Sequence, residues 1–377
     1  MSAPVIQLSA MTDIRSILVV RLKALGDIVL SLPIVYALRE SFPNARIGYL
    51  CRRQYAEALS GVSAIDAVLT LPKSSLGQGA LAFALRREEP DCVIDLIGTP
   101  RSALFTFLTG SRIRIGMDTG RRNWCYHYLL PRVIMRDGRR IKCYTLESNL
   151  ELIGELGLKS GLRETYLREA ARREAGARRP EPGWLAVGFP AAVREKDWAA
   201  DYVRGIGGER SPVVGILPGS VYQAKSWPEE HFVELARLVS EKLGCVPLVL
   251  WGPGEEALAF RIAAAAPGAV LAPVMGIARL GALISGLSVL VGTDSGPKHI
   301  AVLEGVATVT LFGPTDPEIW DPLTRRHRAL YASPGCAPCR KKACEANECL
   351  TRISPERVLE EIAEVLGTAP QSAAGEK

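Results

Sequence analysis

The stretch Gly292–Ala301, "GTDSGPKHIA", places an acid, a hydroxyl, a glycine, a proline and a histidine where an apolar run gives way to a helical pattern. The run before it, "LSVLV", predicts a buried strand, and Pro297 is typical of the first turn of a helix. A helix N-terminus that follows a strand offers free N–H groups and a partial positive charge, which suit phosphate. The stretch therefore predicts a ligand site at the end of a strand.

Strand and helix patterns alternate on both sides of this stretch. Runs such as "SILVVRL" and "DCVIDLIG" alternate with helical segments in the first half, and "PVVGILPGS" restarts the pattern in the second. Such alternation indicates βαβ units and parallel sheets. A polar segment at 159–208 separates the halves. We predict an α/β fold of two Rossmann-like domains, 1–195 and 205–353, with a C-terminal helix and tail, 354–377, packing back on the first.

Length and composition are those of an ordinary globular chain. The 377 residues are 48% hydrophobic and 23% charged. No apolar stretch reaches the roughly 20 residues of a membrane helix, and the first residues lack a signal-peptide pattern. We expect a short disordered lead before Arg15 and a frayed tail, "APQSAAGEK". Nine cysteines without an export signal predict a cytoplasmic protein.

The positive charge lies in the first part of the chain. Residues 1–150 hold 20 Lys and Arg against 12 Asp and Glu, and the remainder holds 26 against 28. Between Arg101 and Lys142, ten basic residues face two acidic ones. This surface is either merely solvated or contacts a phosphorylated glycan, an anionic lipid surface or nucleic acid. Nucleic acid is the least favoured partner because basic motifs interleaved with aromatics are absent.

Two further strand-to-helix junctions carry candidate site residues. In "RLKALGDIVLSLP", Asp27 after Gly26 is either a helix N-cap or a carboxylate pointing into a cleft between the halves. No G-x-G-x-x-G follows this strand, which disfavours an NAD-dependent oxidoreductase. In "LPGSVYQAKSWPEEHF", Gly219 and Ser220 open a loop, and Lys225 is either part of a phosphate clamp or a surface lysine.

A third junction and the opening stretch complete the candidates. In "WGPGEEALAF", Glu255 or Glu256 can bind ribose hydroxyls or simply complement the helix dipole. In the opening stretch, Asp294 can hold sugar hydroxyls, and the backbone N–H groups at Ser295 and Gly296 can hold a diphosphate. The last candidate, His299, faces either the same site or the core.

Together with "TLFGPTDP", these motifs resemble glycosyltransferase family 9, the ADP-heptose:lipopolysaccharide heptosyltransferases, over about residues 15 to 365. The resemblance implies the GT-B fold, in which two Rossmann-like domains flank the active site. It implies inverting transfer of a heptose from ADP-heptose to the lipopolysaccharide inner core, with no essential metal and no cofactor. The basic surface would suit a phosphorylated acceptor at the inner membrane, where the enzyme would be peripheral.

The resemblance also assigns roles to the candidate residues. Asp27 would be the general base on the acceptor hydroxyl, and Lys225 would neutralise the diphosphate. The expected substrate-binding residues share a position at strand ends: Gly26, Gly219, Ser220, Glu255, Glu256, Met275, Asp294, Ser295, Gly296 and His299. Of these, Met275 would line the adenine pocket and Asp294 would hold the donor sugar.

The chain departs from the family pattern at Thr293 and Lys298, where Asn and Met are frequent. Lys298 either adds a charge near the phosphates or points to solvent. Near the C-terminus a C-x2-C-x4-C-x4-C pattern indicates either a structural zinc or cluster site, or paired or free thiols. It lies outside the proposed chemistry and consists of Cys336, Cys339, Cys344 and Cys349.

Three other functions stay open on the sequence alone. A GT-B transferase with a different nucleotide-sugar donor would use the same pocket. A sugar-nucleotide epimerase or hydrolase would need no lipid acceptor. A non-catalytic nucleotide- or carbohydrate-binding protein would not need the base Asp27.

Overall fold

The structure, a computed structural model, describes residues 6–11, 13–136, 139–174, 185, 187–207 and 211–367. The chain divides into two units, Met1–Ala177 and Arg178–Lys377. The division falls inside the polar segment at 159–208. Residues 187–195, which the sequence assigned to the first domain, belong to the second unit, because Phe189 and Ala192 pack against Gly281 there.

The first unit is built on a six-stranded parallel sheet in the order β3-β2-β1-β4-β5-β6. Its strands are β1 Ser16–Val20, β2 Arg46–Arg52, β3 Ala67–Leu71, β4 Cys92–Asp95, β5 Ile113–Met117 and β6 Tyr128–Leu130. An antiparallel pair follows, β7 Ile134–Arg136 and β8 Arg139–Ile141. The helices are α1 Leu25–Leu30, α2 Leu32–Ser41, α3 Ser75–Glu88, α4 Pro100–Leu108, α5 Thr145–Glu155 and α6 Gly161–Glu174.

The second unit repeats this order in a second parallel sheet, β11-β10-β9-β12-β13-β14. Its strands are β9 Val213–Leu217, β10 Val246–Val249, β11 Val270–Leu271, β12 Val289–Thr293, β13 Ala307–Phe312 and β14 His327–Tyr331. The helices are α7 Lys196–Gly207, α8 Glu229–Leu243, α9 Glu256–Ala265, α10 Ile277–Ser285, α11 Gly296–Leu303, α12 Pro317–Trp320, α13 Glu348–Thr351 and α14 Pro355–Leu366. The predicted α/β fold with two Rossmann-like units is confirmed.

The central strands explain why the two sheets form. Every residue of β9, β12 and β13 is buried, as expected of parallel strands covered by helices on both faces. In each sheet the chain order reverses between the first strand and the fourth, β1 and β4 or β9 and β12. Ligands of open α/β sheets bind at the carboxyl ends of the strands at such a switch point.

Two expectations about the chain ends are corrected. The C-terminal helix α14 was expected to pack on the first domain, but its apolar face is buried in the core of the second unit, against α8. The lead before Arg15 was expected to be disordered, yet Ile6 and Leu8 are buried and the Leu8 N–H donates to the Leu156 carbonyl at 3.0 Å. Apolar side chains thus anchor both segments. The predicted frayed tail lies outside the described residues.

Candidate active site

The Asp294 carboxylate is buried just beyond the end of β12 and is surrounded by donors. The Lys225 ammonium donates to Asp294 Oδ2 at 2.6 Å and to its backbone carbonyl at 3.1 Å. The Thr315 hydroxyl donates to the same Oδ2 at 2.8 Å. On the other side, Lys298 Nζ lies 3.8 Å from Oδ1. Both oxygens of Asp294 therefore face donors or cations.

These cations decide the charge of Asp294. Burial would raise its pKa, but the charges of Lys298 and Lys225 outweigh burial, so the pKa of Asp294 lies below its ordinary value. The carboxylate is ionised under physiological conditions. Lys225 remains partly accessible, with 18% of its side chain exposed, so it can reach a bound ligand.

Lys298 is an almost wholly buried lysine, with 3% of its side chain exposed. It donates to the Trp320 carbonyl, lies 3.5 Å from Asp321 Oδ2, and sits 5.0 Å from the centre of the Phe312 ring. Burial raises the pKa of Asp321 even though Lys298 opposes the shift. The alternative that Lys298 points to solvent is therefore wrong.

His299 is buried on the same helix. Burial, together with the charge of Lys298, lowers the pKa of His299 well below its ordinary value. The imidazole is neutral near neutral pH, so it adds no positive charge for a phosphate. The residue is 3% exposed, and its ring centre lies 6.1 Å from that of the half-buried Trp320.

The N-terminus of α11 has no side-chain cap. Ser295 occupies the N-cap position, but its side chain makes no capping hydrogen bond. Its Oγ is buried and has no hydrogen-bond partner among the described residues. The first N–H groups of a helix have no intrahelical acceptor, so this end, which begins with Gly296, is suited to an anionic ligand.

The loop after β9 is joined to the same edge of the sheet. The Thr293 hydroxyl donates to the Gly219 carbonyl at 3.2 Å. A Cβ on Gly219 would lie 2.0 Å from the Glu255 carboxyl group, so the close approach of this loop to Glu255 favours glycine. Ser220 is engaged locally, and its hydroxyl donates to the Tyr222 carbonyl at 3.2 Å.

The structure separates the two candidate glutamates. Glu255 is half-buried, and its carboxylate accepts the Gly252 N–H at 2.9 Å beside the β9 loop. Glu256 is the exposed first residue of α9. The remaining candidate, Met275, is half-buried in the loop between β11 and α10. Glu255 is thus the glutamate that lies beside Gly219.

In the first unit, Asp27 lies in the first turn of α1, just after β1. Its Oδ1 forms an ion pair with Arg21 at 2.5 Å, and its Oδ2 accepts the Ala24 N–H at 3.1 Å. About a fifth of the side chain is exposed. Asp27 is thus the third residue of α1 and not its N-cap, which is Ala24, and its carboxylate accepts the N–H of the N-cap residue while remaining partly accessible. Gly26 precedes it and is buried.

The four clustered cysteines line a single pocket, beside Pro314 and Asn347. All nine cysteines of the chain are free thiols. Across the residues that the structure describes, no group of three or more His, Cys, Asp or Glu is arranged to hold a metal ion. Burial raises the pKa of the Cys349 thiol.

Sequence reasoning missed three residues of this site. Thr315 was inside a quoted motif, "TLFGPTDP", but was given no role. Lys298 was noted as a departure from the family that either adds a charge near the phosphates or points to solvent, but its pairing with Asp294 and Asp321 was not predicted. Asp321 carried no signal, since it follows α12 at a position that no motif marks.

Two sheets of this topology, one of them with an edge suited to an anion, are typical of α/β proteins that bind nucleotide-linked ligands. The model of Glycosyltransferase family 9 (heptosyltransferase) matches residues 79–350. The chain belongs to this family and is a glycosyltransferase.

Known relatives cover almost the whole chain. Lipopolysaccharide heptosyltransferase 1 of Pseudomonas aeruginosa is 24% identical over 94% of this chain and 99% of its own length. Lipopolysaccharide heptosyltransferase 2 of Escherichia coli is 26% identical over 92% and 97%. The solved structure of the E. coli ADP-heptose lipopolysaccharide heptosyltransferase II has a TM-score of 0.69 at 21% identity, covering 93% of this chain and 98% of that one. That likeness supports the GT-B fold.

Proposed function

We propose that this enzyme transfers a heptose from ADP-heptose to the inner core of lipopolysaccharide. Membership of the heptosyltransferase family and the names of its relatives support the sugar and the acceptor. The observation that carries the proposal is the edge of the second sheet, where Lys225 and the uncapped start of α11 flank Asp294. That edge offers positive charge and free N–H groups for the donor diphosphate.

The donor is held by the second unit in this proposal. Lys225 and the N–H groups at Ser295 and Gly296 bind the diphosphate, with Ser220 beside them. Glu255 binds the ribose and Met275 lines the adenine pocket. Asp294 binds the hydroxyls of the sugar. As the bond to the diphosphate breaks, Lys225 and the helix N-terminus stabilise the negative charge of the leaving group. No catalytic metal is needed for that step.

Asp27 is the general base. It takes the proton of the acceptor hydroxyl while the hydroxyl oxygen attacks the anomeric carbon. The electron pair of the broken bond leaves with ADP, and the configuration inverts. Arg21 holds the Asp27 carboxylate in position through the ion pair at 2.5 Å. The Asp27 side chain is partly exposed, so one of its oxygens is accessible to the acceptor.

The acceptor belongs to the membrane, so the enzyme is proposed to act as a peripheral protein at its cytoplasmic face. Nine free thiols are typical of a reducing compartment. In the described part of the chain, no helix combines the length and hydropathy needed to cross a bilayer.

Asp27→Asn tests the proposal. Transfer from ADP-heptose to lipopolysaccharide acceptor, followed by mass spectrometry in the presence of a chelator, should fall by about 10²–10⁴-fold. ADP affinity measured by calorimetry should be unchanged, because the base does not bind the nucleotide. Wild-type transfer should persist in the chelator.

Asp66→Asn is the matched control. Asp66 also pairs with an arginine, Arg39, at 2.5 Å and also accepts a backbone N–H, from Ile47. Its replacement should leave transfer intact. Loss of ADP affinity in Asp27→Asn, with transfer per bound donor unchanged, would refute the role of Asp27.

A further inference from the structure

Helix α3 has apolar residues on two faces. Its inner face contributes Ala82 and Leu85 to the core of the first unit. Its outer face is also apolar, and Leu76 is 90% exposed and Phe83 64% exposed. Gly79, Ala80 and Ala84 lie between and beside them and are exposed as well. The sheet beneath the helix explains only the inner face.

The neighbouring helix α4 continues this outer surface. Its Ala103 and Phe105 are buried, whereas Leu104, Phe107 and Leu108, spaced to share one side of the helix, are exposed. Trp124, 66% exposed, packs edge-on against Phe107 with ring centres 5.2 Å apart. α3 and α4 contact each other, and α4 contacts the turn that carries Trp124. We call this the α3–α4 face: Leu76, Phe83, Leu104, Phe107, Leu108 and Trp124.

Arginines border the α3–α4 face. Arg101 is exposed in the first turn of α4, and Arg121 is exposed just before Trp124. The Arg114 guanidinium lies 5.5 Å from the centre of the Phe107 ring. Arg86 and Arg87 occupy the last turn of α3, where Glu88 and Glu89 oppose them. The border is thus mainly cationic.

We propose that the α3–α4 face lies on an anionic lipid bilayer, with its aromatic side chains in the interface and the arginines on the headgroup phosphates. Aromatic residues, Trp above all, favour the membrane interface, and basic residues beside an apolar face are attracted to anionic lipid. A second copy of the chain fits less well, because a twofold contact would set one cationic border against another. The inference rests on the proposed function, whose acceptor is anchored in a membrane.

Vesicle sedimentation tests the proposal with the full-length protein. The vesicles contain phosphatidylethanolamine and phosphatidylglycerol but no lipopolysaccharide. Wild type should bind them, and should bind less at high salt and on neutral phosphatidylcholine. Phe83→Ser with Trp124→Ser should reduce partitioning by about tenfold or more, since each exposed aromatic would lose its apolar contact with lipid. Arg101→Glu with Arg121→Glu should also reduce it.

Matched controls lie in the second unit. Phe260 is 60% exposed on α9, and Arg194 is exposed before α7. Phe260→Ser and Arg194→Glu should bind vesicles as wild type does. Equal binding by all variants would overturn the proposal, and so would binding only to vesicles that contain lipopolysaccharide. A dimer in sedimentation equilibrium that the double serine variant dissociates would assign the face to a second copy instead.

A soluble, deacylated acceptor separates this inference from the proposed function. If both hold, the double serine variant should transfer heptose to the soluble acceptor at the wild-type rate and lose transfer only to acceptor embedded in vesicles. If the protein binds vesicles through the α3–α4 face but transfers heptose to neither acceptor, the proposed function is refuted and the membrane surface is not. If wild type and the double serine variant transfer heptose equally well to the embedded acceptor, the α3–α4 face does not act as the membrane surface, and the proposed function stands.

Discussion

The two sheets have the same strand order, and the fourth strand of each leads to an aspartate, but the two aspartates are held in opposite ways. Asp95, at the end of β4, accepts the N–H groups of Ile97 and Gly98 at 2.9 and 3.0 Å and the Tyr126 hydroxyl at 2.7 Å. Asp294, beyond β12, is held by the ammonium groups of lysines. Burial raises the pKa of Asp95, whereas the lysines lower that of Asp294.

The helices that follow differ in the same way. At α4, the Thr99 hydroxyl accepts the Ser102 N–H, and the Ser102 hydroxyl accepts the Thr99 N–H. At α11, Ser295 caps nothing. The first edge is thus satisfied by its own chain, and the second keeps donors and charge available. The comparison teaches that topology offers two equivalent strand ends and that local side chains decide which one keeps free donors and positive charge.

The largest expected effect comes from removing Lys298, the buried cation at the edge of the second sheet. Lys298→Met leaves Asp321, 1% exposed, without its ion-pair partner and should lower the free energy of unfolding by about 3–5 kcal/mol. Adding Asp321→Asn should recover much of this loss, because the buried carboxylate left without its partner is then neutral. Urea denaturation measures both.

The exposed pair of Arg204 and Asp201 serves as the control for that prediction. Arg204→Met should change the unfolding free energy by less than about 1 kcal/mol. A Lys298→Met variant as stable as wild type would show that the buried pair does not hold the site together.

The opposite pKa shifts should give opposite pH dependences. The stabilisation from Asp294 is present above its ordinary pKa of 3.8 and is lost as the pH falls below that value. Asp95 binds a proton more readily when folded, so wild type gains stability relative to Asp95→Asn as the pH falls toward 3.8. Each slope is at most about 1.4 kcal/mol per pH unit. Urea denaturation of wild type, Asp95→Asn and Asp294→Asn at pH values above and below 3.8 measures both slopes. If the stability difference between wild type and variant changed with pH in the same direction for both aspartates, the comparison would be contradicted.

The smallest effect separates the two helix caps. Thr99→Ala should cost about 1 kcal/mol of unfolding free energy, because it removes a cap. Ser295→Ala should lower the unfolding free energy much less, because the Ser295 side chain caps nothing. It should weaken ADP binding, whereas Thr99→Ala should leave ADP binding unchanged. Thermal unfolding and calorimetry on the pair check this, and equal destabilisation would mean that Ser295 is an ordinary cap.

The sequence predicted the parts of the site that lie on the strand ends. Lys225 and Asp294 are 69 residues apart, yet both follow strands of one parallel sheet, and the structure joins them at 2.6 Å. The sequence pattern could not choose between Glu255 and Glu256, since both stand at the start of α9 and only the direction of each side chain in the folded chain distinguishes them. It could not find Asp321 either, because the buried pair with Lys298 depends on the path of the chain after α12, which no motif marks.

Binding of ADP tests the central claim, that the edge of the second sheet holds the donor diphosphate. Calorimetry compares ADP and AMP on wild type, Lys225→Ala and Lys196→Ala, a control lysine paired with Glu304 at 2.9 Å. Lys225→Ala should weaken ADP binding by about ten- to a hundredfold, the value of a hydrogen bond to a charged group, and should remove most of the preference of ADP over AMP. Lys196→Ala should match wild type. Undiminished ADP affinity in Lys225→Ala would contradict the claim.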